Sequence, residues 1–447
     1  MDAPEQPDAR RHERNVFARG ATGTLAIQVV RVAAVFGLNV LLARLLGKIA
    51  FGRFSYATSI VTILSVLACL GMDGVLLRFV AAYRATADWA KLRGVIRWGV
   101  WVAVAAAAGV GLIGSGVVVL LGDRIAPDLR AALLVALSAL LPAVALITVL
   151  QASLRSLGRP ALASLPRFII RPGLLAAAVV AWVIIHPVEI DAAVALGLDA
   201  GAMLLAAALL YLSLRGRLDP SVRQSRPLYA IGEWTGVGLM LMITAALHTI
   251  NSQTDLLMLG VLRGMGDAGA YKAAVQISLL VMLGNVAANA IAASMIASAH
   301  ASEDSVAMRR AASRAALAAT AFAVPVAAGL GVAGGWLLGV FGEGFAVAWA
   351  ALGVLLAGYV LNTIAGPAGL LLTMTGRQKQ AAVAVGIGVL ANIILNAALI
   401  PAMGLLGAAT ATAVSMTIGQ VCMVVAVRRR MGLWPTALHA LRRVGRA

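Results

Sequence analysis

Gly52-Arg53-Phe54-Ser55-Tyr56-Ala57 is answered 217 residues later by Gly269-Ala270-Tyr271-Lys272-Ala273-Ala274. Two further pairs keep the same order. Leu157-Gly158-Arg159 corresponds to Thr375-Gly376-Arg377. Gly109-x-Gly111-x-x-Gly114, followed by Gly122-Asp123, corresponds to Gly329-x-Gly331-x-x-Gly334, followed by Gly342-Glu343. Three ordered matches at nearly one offset read as an internal duplication.

Composition says what is duplicated. The chain has 447 residues, of which 61% are hydrophobic and 12% charged, with a mean hydropathy of +0.94. A soluble domain carries roughly a quarter charged residues. Apolar runs of about 18 or more residues recur from end to end, the length needed to cross a bilayer as helix. They are continuous, not alternating, which excludes a β-barrel. We expect twelve helices, at roughly 21–43, 54–82, 96–121, 131–154, 166–186, 190–214, 232–258, 270–298, 312–340, 346–373, 381–400 and 404–427. The fold class is therefore an all-α polytopic membrane protein of two six-helix bundles. An even number of helices gives both bundles the same orientation, so their pseudo-two-fold axis runs along the membrane normal. The expected organisation is a basic tail over 1–20, a bundle over 21–214, a linker over 215–231, a bundle over 232–427 and a second basic tail over 428–447. The first apolar run reads as a retained helix rather than a signal peptide. The last tail reads equally well as an amphipathic surface helix or a disordered segment.

The net charge of +18 is mainly a topology signal. Twenty-seven Lys and Arg fall on one side of these spans and seven on the other, among them Arg44, Lys48 and Arg53 in a loop that opposes the trend. The positive-inside rule then expects both termini in the cytoplasm of a bacterial inner membrane. No nucleic-acid partner is expected. Two cysteines, Cys69 and Cys422, lie inside apolar runs, and five histidines are scattered. No disulfide framework, metal site or cofactor is expected. The dinucleotide-like glycine spacings follow no strand and read as small-residue packing faces within spans. Pro142, Pro325 and Pro367 fall inside spans and are candidate kinks.

Ionisable groups inside a bilayer ask for a reason. In the first helix Thr24, Gln28, Arg31 and Asn39 fall within about an 80° arc, one polar stripe. Arg31 is the candidate cation for an anionic substrate group, with Gln28, Asn39 and Arg78 in support. In the seventh helix His248, Asn251 and Asp255 share a face and are candidates for binding a proton or sodium ion. Asp73 and Asp199 are assigned structural or gating roles, with Asp199 a partner for Arg31 or Arg78. Asn285 with Asn289, and Asn392 with Asn396, read as hydrogen-bonding groups between helices. No catalytic cluster or long outer loop is present, so transport is expected rather than an enzyme activity.

A family resemblance rests on particular strings. Leu42-Ala43-Arg44-Leu45-Leu46-Gly47…Phe51-Gly52-Arg53-Phe54-Ser55 and Gly71-Met72-Asp73-Gly74…Arg78-Phe79 resemble the start of bacterial polysaccharide flippases. Asp255-Leu256-Leu257-Met258-Leu259-Gly260…Gly269-Ala270-Tyr271 resembles their seventh-to-eighth helix motif. Asn392…Asn396…Pro401…Gly404-Leu405-Leu406-Gly407-Ala408-Ala409 resembles their eleventh-to-twelfth helix signature. These belong to the Wzx-like branch of the multidrug/oligosaccharidyl-lipid/polysaccharide (MOP) exporter superfamily, which also holds the MATE transporters. The resemblance implies a flippase for undecaprenyl-diphosphate-linked oligosaccharides in surface polysaccharide biosynthesis, working by alternating access. It further implies contact with membrane lipids, an ion gradient or membrane potential as driving force, and association with polymerase machinery. Two complete bundles in one chain imply a monomer. The rival reading is an ion-coupled multidrug or metabolite exporter of the same superfamily. The two extra helices typical of lipid II flippases are missing.

Overall fold

The computed structural model describes residues 7–186, 190–434 and 436–437, with side chains described from residue 30 onward. The described chain is helical, as backbone surrounded by lipid must be: each amide and carbonyl has to find its partner within its own segment. Among the described residues eleven helices are long and apolar enough to cross a membrane, and the first of them is two helices joined at Gly47, which makes twelve crossings. Helix Pro7–Cys69 bends back on itself at Gly47 (φ 72°), which divides it into α1 before the bend and the first part of α2 after it. The second part of α2 is Met72–Ala85, set off by a break at Leu70-Gly71. Then follow α3 (Trp89–Leu121), α4 (Pro127–Ser156), α5 (Pro160–Ile185) and α6 (Ala192–Arg217). The second half holds α7 (Ile231–Leu262), α8 (Met265–Ala301), α9 (Ser305–Val332), α10 (Trp349–Ile364, continued by Ala368–Met374), α11 (Gln378–Met403) and α12 (Leu405–Met431). A short linker helix, Pro220–Gln224, lies between the halves.

The helices exceed the expected lengths mainly at their basic ends, where polar residues continue the turn beyond the apolar run. The second expected helix begins earlier, at the Gly47 bend, and the ninth ends earlier, at Val332, before a separate short helix Gly334–Phe341. Hydroxyls within the spans are satisfied locally. Thr62, Thr148, Thr320 and Thr363 each donate to the carbonyl four residues back at 2.7–2.8 Å, a bond that needs no neighbouring helix.

The repeat is visible in three dimensions. Gly158 and Gly376 both take positive φ (81° and 73°) at corresponding turns, as do Gly122 and Gly342 (48° and 129°). Gly111 meets the Leu137 carbonyl of α4, and Gly334 meets Trp349 of α10, so the glycine motifs serve as packing faces at equivalent joints. Most informative are Gly52 and Gly269. A Cβ on Gly269 would lie 3.0 Å from the Gly52 nitrogen, and one on Gly52 would lie 1.8 Å from the Met265 carbonyl oxygen. Equivalent residues of two repeats can touch each other only at the symmetry axis, so this contact marks where the pseudo-two-fold passes.

The halves are sealed around that contact on the less basic face. Arg44 Nε donates to the Val340 carbonyl at 2.6 Å. Phe51 packs edge-on against Phe345 at 6.0 Å, and Phe36 against Phe341 at 5.6 Å. A second seam joins α2 and α7 along their length: Ser59 Oγ donates to Gln253 Oε1 at 2.7 Å, Gly71 abuts Gly238, and the fully buried Trp234 donates to the Tyr83 hydroxyl at 3.1 Å. Pro142 follows a π-helical turn at Ala136–Leu140, Pro367 stands at the break in α10, and Pro325 lies inside a continuous α9.

Candidate functional site

Each half carries its own polar centre. In the first, Arg31 of α1 sets its guanidinium carbon 5.0 Å from the centre of the Phe168 ring on α5. Arg167 sets its own 5.7 Å from that same ring. Arg167 Nη1 also donates to Thr148 Oγ1 at 3.1 Å and Gln151 Oε1 at 3.4 Å, both on α4. Arg31 has no hydrogen bond or carboxylate among the described residues. One turn further along α5, Arg171 grips Asp199 of α6 with both prongs, Nε to Oδ1 at 2.8 Å and Nη2 to Oδ2 at 2.5 Å. Asp199 is fully buried.

The backbone of α5 explains this arrangement. Pro166 and Pro172 each remove an amide donor from the helical ladder. Between them the chain makes a π-helical turn at Pro166–Ile170, which inserts one extra residue per turn and re-aims Arg167 and Phe168. Of the three arginines only Arg171 contacts a carboxylate, and it takes both oxygens of Asp199. Cation–π contacts are worth about 2 kcal/mol when desolvated, while a lone charge in a low-dielectric interior costs several. Arg31 and Arg167 therefore stand as two cations on one ring, neither with a hydrogen-bonded carboxylate among the described residues.

In the second half Asp255 of α7 sits at the middle of a converging set. Asn392 Nδ2 and Asn396 Nδ2 of α11 donate to its Oδ1 at 2.9 and 2.8 Å. Thr412 Oγ1 of α12 and Tyr271 Oη of α8 donate to its Oδ2 at 2.5 and 3.3 Å. Asn396 Nδ2 donates also to Asn392 Oδ1 at 3.1 Å. The Oδ1 of Asn396 is buried with no donor. Among the described residues no cation pairs with the carboxylate, and its hydrogen-bond partners are all neutral. Asp255, Asn396 and Thr412 each lie seven residues from the less basic end of their helix, about 10 Å at 1.5 Å per residue, so the three helices meet at one depth.

Several expected groupings resolve differently. Asp199 pairs with Arg171, not with Arg31 or Arg78. Arg167 and Arg171, counted as loop charges in the topology tally, lie within the span Pro160–Ile185. Arg78 is exposed, its guanidinium 5.6 Å from its neighbour Phe79, and is not drawn to Arg31. Asp73 is half-buried, without an ion pair or hydrogen bond among the described residues, yet within Coulombic reach of Arg167. Asn39 donates to its own helix, to the Val35 carbonyl at 2.7 Å. His248 is exposed, and Asn251 is half-buried with its Oδ1 lacking a donor; neither meets Asp255. Asn289 bonds Asn285 within α8 rather than another helix. The side chains of Thr24 and Gln28, and the C-terminal tail beyond residue 437, lie outside the described residues. Arg167, Tyr271 and Thr412 are the site residues that sequence reasoning missed. The available signal was a pair of arginines, Arg167 and Arg171, at the start of an apolar run, and hydroxyls at the depth of Asp255.

No curated protein matches the chain in sequence. Solved structures match along most of its length. An inward-facing multidrug-resistance MATE transporter of the MOP superfamily aligns with a TM-score of 0.76 at 14% identity, covering 90% of this chain and 94% of that one. An outward-facing MATE transporter of that superfamily aligns at 0.59 and 15% identity, covering 95% and 94%. The lipid II flippase MurJ, in an inward closed conformation, aligns at 0.70 and 15% identity, covering 90% and 87%. These establish the fold. The family model described as polysaccharide biosynthesis protein matches residues 17–296, well over half the chain. With that match the expected resemblance is borne out: the chain belongs to the polysaccharide biosynthesis protein family, and it has the multi-helix membrane fold of the MOP-superfamily structures it resembles.

Proposed function

We propose that the protein is a flippase that carries an undecaprenyl-diphosphate-linked oligosaccharide from the cytoplasmic to the periplasmic leaflet of a bacterial inner membrane, by alternating access and without catalysis. The carrying observation is the pair of guanidiniums, Arg31 and Arg167, on one aromatic ring with no carboxylate of their own. A diphosphate is the complementary group: two negative centres that accept charge-assisted hydrogen bonds from two arginines. Depth supports the direction of loading. Arg31 lies sixteen residues, about 24 Å, from the Gly47 bend, past the middle of a hydrocarbon core about 30 Å thick and so nearer the basic face, which the charge bias assigns to the cytoplasm. The seal on the opposite face fits a protein waiting for substrate from that side. The lipid tail stays in the bilayer throughout.

Asp255 is proposed as the coupling site. Its carboxylate, the free Oδ1 of Asn396, the Oδ1 of Asn392 and the hydroxyls of Tyr271 and Thr412 are all oxygens. Such a set suits a sodium ion or a proton, while its carboxylate repels a phosphate and its donors are already turned to that carboxylate. His248 and Asn251 are retained only as wall residues above it.

The test is complementation of a strain lacking its own polysaccharide flippase. Wild type should restore surface polysaccharide. Arg31→Ala and Arg167→Ala should fail at equal protein level, and Arg31→Lys should work in part. The exporter alternative gains if wild type fails there but lowers accumulation of a cationic dye, and if Arg31→Ala leaves that activity intact.

A further inference from the structure

Four arginines near the linker helix belong to neither polar centre. We propose that the cleft between α3, α6 and Pro220–Gln224 binds an anionic glycerophospholipid, its phosphate among Arg93, Arg97, Arg215 and Arg223 and its acyl chain laid along α3.

The cleft has a volume of about 540 Å³ and is lined by those four arginines and Tyr211, with apolar residues between them and no carboxylate. Arg93 Nη1 donates to the carbonyls of Arg223 and, at 2.6 Å, Ser225; Arg223 Nη2 donates to the Arg215 carbonyl. These bonds fix the guanidiniums but leave their charge uncompensated, because a carbonyl is neutral. Arg97 and Arg215 are exposed, with side chains that have neither an ion pair nor a hydrogen bond among the described residues. The nearest acid in sequence, Asp219, is occupied elsewhere: it caps the linker helix by accepting from the Ser221 amide at 2.8 Å.

A second cleft of about 420 Å³ begins at Arg97 and continues along α3 past Trp98, Trp101, Val102 and Ala105, with Tyr229 and Ile231 on its other wall. Trp101 is 72% exposed, and further along α3 Leu112 and Ile113 are equally bare, as befits a helix flank that faces lipid. The Trp98 Nε1–H, on the wall of the second cleft beside the shared Arg97, is buried without an acceptor. A cationic chamber opening into an aromatic trough on a lipid-facing helix is complementary to an amphiphile with one anionic head. Basic pockets between helix ends at the membrane surface hold such headgroups, and tryptophan and tyrosine favour that depth. A soluble anion would leave the trough unused. Because the linker helix roofs the cleft and connects the halves, a bound lipid would fasten the linker to α3.

The test is native mass spectrometry on the full-length protein, titrated with phosphatidylglycerol, phosphatidylcholine or undecaprenyl phosphate. Wild type should retain phosphatidylglycerol over phosphatidylcholine by roughly tenfold, and Arg97→Gln/Arg215→Gln should erase that preference, since each basic residue near a headgroup contributes severalfold. The control pair Arg310→Gln/Arg314→Gln, two exposed arginines of α9, should leave it unchanged. Thermal unfolding in phosphatidylcholine checks that both pairs fold. Trp101→Ala should weaken retention of either phospholipid without altering headgroup choice. The proposal is overturned if wild type shows no preference, if the control pair erases it equally, or if undecaprenyl phosphate is retained while phosphatidylglycerol is not. None of these readings depends on transport.

Discussion

The two halves repeat each other's architecture and reverse each other's chemistry. Gly52 and Gly269 meet at the axis, and Gly158 and Gly376 turn the chain alike. At the same 217-residue offset, however, Arg31 corresponds to His248. The first is half-buried over Phe168 and the second is exposed. The first half gathers unneutralised cations in α1 and α5; the second gathers one carboxylate within a shell of amides and hydroxyls, nearer the opposite face. The difference teaches that a duplicated fold is held by backbone contacts and turn glycines, which tolerate little change. The polar residues of each bundle answer only to their own ligand and are free to diverge.

The comparison can be broken first at the charges that are structural. Asp199→Ala strands the Arg171 guanidinium in the interior, a loss expected at about 3–5 kcal/mol. Arg171→Met/Asp199→Leu should recover most of it, as measured by thermal unfolding in detergent. Failure of the double variant to recover would make the pair more than structural.

The same assay sharpens the contrast between the two centres. Asp255→Leu leaves the Asn392 and Asn396 amides without an acceptor and should cost roughly 2–3 kcal/mol. Arg31→Ala removes no hydrogen bond among the described residues and should change stability by less than about 1 kcal/mol, because loss of its cation–π contact is offset by relief of an unpaired charge in the span. Sodium should raise the unfolding temperature of wild type and of Arg31→Ala but not of Asp255→Asn. Equal sodium shifts in all three would remove the coupling role.

The smallest effect on folding is expected at the axis. Gly52→Val cannot coexist with the Met265 carbonyl, but the halves can part there without either unfolding. A cysteine pair replacing Arg44 and Val340, treated with a short bifunctional thiol reagent, should cross-link in the otherwise wild-type protein and several-fold less in the Gly52→Val background. An unchanged yield would mean that the seal does not pass through these glycines.

Much of this was legible in the chain. Long apolar runs give the helices because lipid forces every backbone bond to be local. The repeated glycines gave the duplication, and parity gave its axis. Arg31 and Asp255 stood out because a charge in a span is costly wherever it points. Their surroundings were harder. Asp199 found Arg171 rather than Arg31, because a π-helical turn between two prolines re-aimed α5, and no spacing rule carries across that turn. Arg167 was hidden by its position at the edge of an apolar run, where a loop charge and a buried one look alike.

The sequence by itself determined the number of crossings, their duplication and the cost of each intramembrane charge, since these follow from composition and local periodicity. Only the tertiary structure decided which charges neutralise one another and which stay unpaired. Pairing depends on the depth and rotation of helices distant in sequence, and a shift of one residue in either turns a side chain by about 100°.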